Sequence, residues 1–74
     1  MMVRILVIIE KSENSYGAYS PDVPGCVAVG DTREEVERLT REALQEHLEL
    51  MGEEHLSLPE SHAEAKYMDI PLSA

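Results

Sequence analysis

Apolar residues alternate along the start of the chain and recur at helical spacing in its middle. Residues 3–10 are rich in β-branched side chains and precede the polar residues 11–15, which predicts a strand and a turn. Residues 16–20 and 26–29 predict two more strands, separated by a stiff loop that contains two prolines and a glycine. The first part of the chain therefore predicts three short strands.

A long amphipathic helix is expected over residues 33–51. Thr32, followed three residues later by Glu35, matches a capping box, in which each side chain satisfies an amide at the helix start. Apolar residues then recur at steps of three and four as far as Met51, and Gly52 is predicted to end the helix.

A last strand is predicted over residues 65–70, where side chains alternate in character until Pro71. Residues 53–64 contain Pro59 and are predicted to form the connection between the helix and this strand. The resulting order β-β-β-α-β predicts an α+β fold, a small sheet with one helix packed on one face. Residues 1–74 are expected to form a single domain.

The two faces of the first strand have different expected partners. One face is wholly apolar and should meet the apolar stripe of the helix. The residues of that face are Val3, Ile5, Val7 and Ile9, and those of the stripe are Val36, Leu39, Ala43, Leu44 and Met51. The opposite face carries Leu6 and Ile8, which we predict to lie in an interface between copies of the chain.

Self-association is also expected from size. A domain of about 60–75 residues buries only about 60% of its unfolded surface, so partner chains are a common source of further burial. The single cysteine, Cys26, cannot form an internal disulfide, and its position at a strand start favours packing over catalysis. A homodimer or a dimer of dimers is the expected assembly.

The charge restricts the possible partners. The formal net charge is −9, with 15 acidic and 6 basic side chains, which argues against nucleic-acid binding. It favours a basic protein partner, although acidity also simply keeps small proteins in solution. The apolar run at residues 5–9 is too short for a membrane span or a secretion signal, so a cytoplasmic location is expected.

Catalysis is not expected from these residues. No nucleophile, acid and base are arranged at a recognisable spacing, and His47, His55 and His62 are too far apart along the chain for a typical metal site. No metal and no cofactor are therefore predicted.

Residues 16–31, YGAYSPDVPGCVAVGD, and the helix that follows them resemble the HicB antitoxin family. The family pattern is an apolar strand, an aromatic strand, a P-D-x-P-G-C loop, a G-D-T step and a helix that opens with acidic residues. The resemblance covers residues 3 to about 51.

The resemblance implies a partial ribonuclease H-like fold and a role in a toxin–antitoxin pair. In such pairs the antitoxin domain covers the active site of a small basic RNA-cleaving toxin of the HicA type. Many family members carry a second, DNA-binding domain, which the residues after Ile70 are too few to form, so operator binding is not expected of this chain.

Two functions stay open at this point. The first is neutralisation of a basic HicA-like toxin, and the alternative is a solitary oligomeric HicB-like protein without a toxin partner. For the first, partner contacts are expected near the loop at residues 21–26 and on the acidic helix face. The candidate contact residues are Asp22, Val23, Glu35, Glu42, Glu46 and Glu49.

Overall fold

Three strands and one helix follow one another in the order β1-β2-β3-α1. In the computed structural model, which describes residues 2–73, the strands are Ile8–Lys11 (β1), Tyr16–Tyr19 (β2) and Val27–Gly30 (β3). The helix α1 is Arg33–Glu53. The predicted α+β class, with three strands before one helix, is confirmed.

The strands form one antiparallel sheet in which β2 lies between β1 and β3. The register aligns Ile9 with Ala18 and Ala18 with Ala28, so these side chains share the face that α1 covers. The opposite face carries the row formed by Ile8, Tyr19 and Val27. We call that side of the sheet the open face.

Local bonds close both connections between the strands. The β1–β2 turn is closed by the Ser12 amide, which donates to the Ser15 carbonyl at 2.8 Å. In the β2–β3 loop the Cys26 amide donates to the Val23 carbonyl at 3.4 Å, and Gly25 has a φ of +89°. Residues that carry a side chain rarely adopt that backbone conformation, which explains the glycine at this position.

The helix begins as predicted and ends later than predicted. Thr32 is the N-cap, and its hydroxyl accepts a hydrogen bond from the Glu35 amide at 3.1 Å. The prediction that Gly52 ends the helix is wrong, because α1 continues to Glu53. The left-handed residue that reverses the chain is His55, with φ of 58°, and the Leu56 amide then donates to the Met51 carbonyl at 2.9 Å.

The core lies between α1 and the β2–β3 half of the sheet. Its buried apolar side chains are Ala18, Val23, Val36 and Leu44. A Cβ built on Gly30 would lie 3.0 Å from the Val36 amide nitrogen, so a glycine at this point lets the helix approach β3 closely. The buried Thr40 hydroxyl donates to the Val36 carbonyl at 2.6 Å, which leaves it satisfied.

The predicted packing of the first strand on the helix is only partly correct. Residues 2–7 precede β1 and pair with no strand. Val3, Ile5 and Val7 line one wall of an apolar groove of about 660 Å³, and the helix residues Leu44 and Leu48 line the other. The helix contacts β2 and β3 instead, because it follows β3 directly and packs closely against it.

The strand predicted over residues 65–70 is not present in the structure. The described residues after α1 contain no helix or strand, and residues 60–73 are exposed. The alternating pattern is that of a strand, but a strand also needs a hydrogen-bonded neighbour. No other segment of the described chain supplies one.

Leu44→Asp should lower the free energy of unfolding by several kcal/mol, because Leu44 is only 7% exposed and an aspartate there has no partner. The matched control is Leu50→Asp on the same helix, where the side chain is 51% exposed. Thermal unfolding followed by circular dichroism compares the two variants. Equal melting temperatures would show that α1 does not pack through Leu44.

Candidate functional site

Asp22 connects three parts of the chain. Its Oδ2 atom accepts a hydrogen bond from the Leu6 amide at 2.9 Å, and its own amide donates to the Ser20 hydroxyl at 3.1 Å. The Leu6 bond is the main cause that lowers the pKa of the Asp22 carboxyl below its ordinary value of 3.8, and the nearby Ser61 and His62 lower it further. The carboxylate therefore joins the N-terminal segment and the connection after α1 to the β2–β3 loop.

The β2–β3 loop exposes Pro21 and Pro24 but not its valine. Val23 is 3% exposed and belongs to the core, so its side chain is not available on the surface of the described chain. The half-buried Cys26 Sγ lies 4.0 Å from the Ala43 carbonyl oxygen of α1. This contact places the end of the loop beside the second half of the helix.

Four of the seven glutamates of α1 lie along one stripe in the second half of the helix, which we call the acidic stripe. It is formed by Glu42, Glu46, Glu49 and Glu53, whose steps of four, three and four residues keep them on one side of the helix. All four are exposed. Arg38 forms an ion pair with Glu42 at 3.4 Å, and the Gln45 amide donates to Glu49 at 3.2 Å.

Glu35 stands apart from the other candidate contacts. It lies in the first turn of α1, is only partly exposed, and its side chain covers Gly30 at the end of β3. Glu53 was missed by sequence reasoning, because the helix was expected to end before it. Continuing the spacing from Glu46 and Glu49 through Gly52 would have found it.

A shallow recess of about 510 Å³ lies where the loop meets the acidic stripe. Its walls are Cys26 on one side and Glu46, His47, Leu50 and Glu53 on the other. The structure thus brings the end of the Pro21–Cys26 loop next to the predicted contacts Glu46 and Glu49 and next to Glu53, which was not predicted. Asp22 lies further away, at the junction with Leu6.

The electrostatics of the recess are set by the helix end. No basic residue lies in the last turn of α1, and Glu53 and Glu54 are there instead. The carbonyl ends of a helix carry partial negative charge, which normally favours lysine or arginine. The negative charges at this end of the domain therefore reinforce one another, and a cation placed there would be stabilised.

The open face has more exposed apolar surface than the sequence pattern indicated. Leu6 and Ile8, the predicted interface residues, are partly exposed. Val27 and Val29 on β3 are 66% and 64% exposed, and Tyr19 is 42% exposed. The two valines were missed because the short third strand was not assigned a face, although strand alternation with the buried Gly30 gives it.

The described residues 2–73 hold neither a candidate metal cluster nor a helix suited to span a membrane. Within residues 2–73, no group of three or more histidine, cysteine, aspartate or glutamate side chains is placed to hold a metal ion. The helix of the described chain is not apolar enough to cross a membrane.

The family model described as "HicB_like antitoxin of bacterial toxin-antitoxin system" matches residues 5–72. The chain belongs to the HicB-like antitoxin family. The resemblance expected from the loop and helix start is confirmed, and the match extends through the segment after α1. Its family is therefore one of antitoxins in bacterial toxin–antitoxin systems.

Two curated proteins are similar to this HicB-like chain. An "Uncharacterized 14.9 kDa protein in rep-hol intergenic region" of Haemophilus phage HP1 is 38% identical over 88% of the chain and 49% of its own length. A "UPF0150 protein" of Helicobacter pylori strain J99 is 43% identical over 60% of the chain and 61% of its own length. The chain thus spans about half to three fifths of these relatives. No solved structure gives a significant match.

Asp22→Asn should weaken the HicB-like fold at neutral pH and reduce its loss of stability in acid. A carboxyl whose folded pKa is lowered contributes stability above its unfolded pKa, near 3.8, and loses it as pH falls through the folded value. Urea unfolding over a pH series measures this, with Glu13→Gln in the exposed β1–β2 turn as control. A stability difference between Asp22→Asn and wild type that does not shrink in acid would contradict the assignment.

Proposed function

We propose that this chain is a protein-binding antitoxin domain that binds and neutralises a small basic RNA-cleaving toxin of the HicA type. The observation that carries the proposal is the acidic stripe beside the recess, on a chain of an antitoxin family. A basic partner supplies the cations that the C-terminal end of α1 lacks. Binding is the whole of the proposed activity, with no reaction catalysed by this chain.

The contact surface that we propose is centred on Glu42, Glu46, Glu49 and Glu53. Asp22 and Glu35 lie outside this centre, at the Leu6 junction and in the first turn of α1, and Val23 is buried in the core. Charged surfaces of opposite sign steer two proteins together before contact, so this surface acts first on the association rate. In a toxin that cleaves RNA, basic residues that hold the RNA phosphates are natural targets for an acidic surface.

We also propose that the open face is a contact between copies of the chain in a dimer of dimers. Ile8, Val27 and Val29 lie on this face, which no helix of the described residues covers, and Leu6 lies two residues before Ile8. Burial of such side chains against a second sheet is the usual way to stack two sheets. Val27→Lys should therefore reduce a tetramer to a dimer in equilibrium sedimentation, and an unchanged mass would contradict this contact.

Charge reversal tests the toxin-binding surface. The double variant Glu42→Lys and Glu46→Lys should bind a co-expressed HicA-type toxin at least 10-fold more weakly, because it turns attraction into repulsion. Two substitutions outside the surface, Glu10→Lys and Glu13→Lys, provide a control with the same net charge. Association rates from stopped-flow or surface plasmon resonance, and protection of RNA from cleavage, measure the effect.

The association rate of the wild-type chain should fall as salt rises, and the double variant should lose that dependence. Equal affinity and equal salt dependence in both double variants would contradict the proposed surface. An active toxin that wild type leaves uninhibited would contradict the proposed function.

A further inference from the structure

The segment after the connection, residues 63–72, lies extended and exposed, and we call it the C-terminal arm. Four of its large apolar side chains face solvent: Tyr67 is 102% exposed, Met68 69%, Ile70 67% and Leu72 84%. The chain is accordingly elongated, with principal extents of 55 × 28 × 20 Å. A contiguous run of such side chains is uncommon on a monomer and marks a surface that another element covers.

The arm has the side-chain order of a strand buried on one face. In an extended segment Met68, Ile70 and Leu72 project to one side, whereas Tyr67 and Asp69 project to the other. Pro71 has no amide proton, so one edge of the arm cannot form a full ladder. The other edge, that of Lys66, Met68 and Ile70, keeps all its donors.

The body of the domain has an edge and a groove of matching character. The outer edge of β1 is unpaired in the three-stranded sheet, and residues 2–7 continue from it without a partner. The groove of about 660 Å³ between Val3, Ile5 and Val7 and the helix residues Leu44 and Leu48 opens beside this edge. A strand added there would place every second side chain in the groove.

The path of the chain indicates that the arm does not fill its own groove. Leu58 lines the groove, and Ser61 and His62 reach the carboxylate of Asp22, which holds Leu6. The chain therefore arrives beside its own N-terminal segment. From there the arm runs on in solvent, and the edge stays empty.

We propose that two copies of the chain exchange their C-terminal arms. Met68, Ile70 and Leu72 of each copy fill the groove of the other, and the arm pairs with the outer edge of residues 3–11. Each copy offers one arm and, at β1 and the residues before it, one unpaired edge that borders the groove, so a two-fold dimer satisfies both at once. This inference does not rest on the proposed toxin binding.

The dimer has a salt dependence opposite to that of toxin binding. Each copy carries a formal charge of −9, so two copies repel, and salt screens that repulsion. Near the centre of the arm the positive charge of Lys66 offsets the negative charge of Asp69, so that part of the arm adds no net charge to the repulsion. Dimerisation through apolar arms should therefore strengthen as salt rises, which separates this proposal from the previous one.

The decisive variant is Ile70→Asp in the full chain. It should raise the dimer dissociation constant at least 100-fold in equilibrium sedimentation, because each dimer loses two buried apolar side chains and gains two charges. The control is Ala65→Asp, which adds the same charge on the other side of the arm. The helical part of the circular dichroism of both variants should match wild type, since Ile70 lies outside α1 and the core against which it packs.

A mixed sample separates exchange from folding back. One chain carries Cys26→Ser and Ser73→Cys, has a nitroxide attached at position 73 and contains no ¹⁵N. It is mixed with a second chain that carries Cys26→Ser alone and is labelled with ¹⁵N. Exchange predicts broadening of the ¹⁵N amides of residues 3–7 by the label on the other copy. A monomeric mass, or a dimer in which the ¹⁵N amides of residues 3–7 are not broadened, would each overturn the proposal.

Discussion

One helix can cover only one face of a sheet, and here it covers little more than two strands of four residues each. The result is a core of four apolar side chains among the described residues 2–73: Ala18, Val23, Val36 and Leu44. The close approach of Val36 to Gly30 fixes the helix over β3, so the helix contacts β1 less than β2 and β3. The apolar groove follows from that placement, and the unpaired edge of β1 follows from the strand order.

Local chemistry made the elements themselves predictable. The Thr32 cap, the alternation in the strands and the three-four spacing of α1 each depend on residues close together in sequence. The helix end was predicted less well, because Gly52 is compatible with a helix and His55 takes the left-handed conformation at a cost that sequence does not reveal. Residues 65–70 have the pattern of a strand, and only the pairing partner is missing from the single chain.

The residues of the candidate surface also differ in how well the sequence predicted their placement. The spacing of Glu42, Glu46 and Glu49 predicted one face of a helix, and the structure places them on it with Glu53. The direction of Val23 could not be predicted, since it depends on how a loop with two prolines turns toward the core. The same holds for Asp22, whose partners Leu6 and Ser61 are distant along the chain.

The Asp22 junction also orders the assembly of the fold in time. The contacts of β2, β3 and α1 join segments that follow one another directly, and short loops cost little entropy to close. The junction instead closes a loop of 16 residues to Leu6 and a much longer one to Ser61. We therefore expect the hairpin and helix to form first and the two chain ends to join them later. Segments that join late also open first, so the arm that we propose to exchange can detach while the hairpin and helix stay folded.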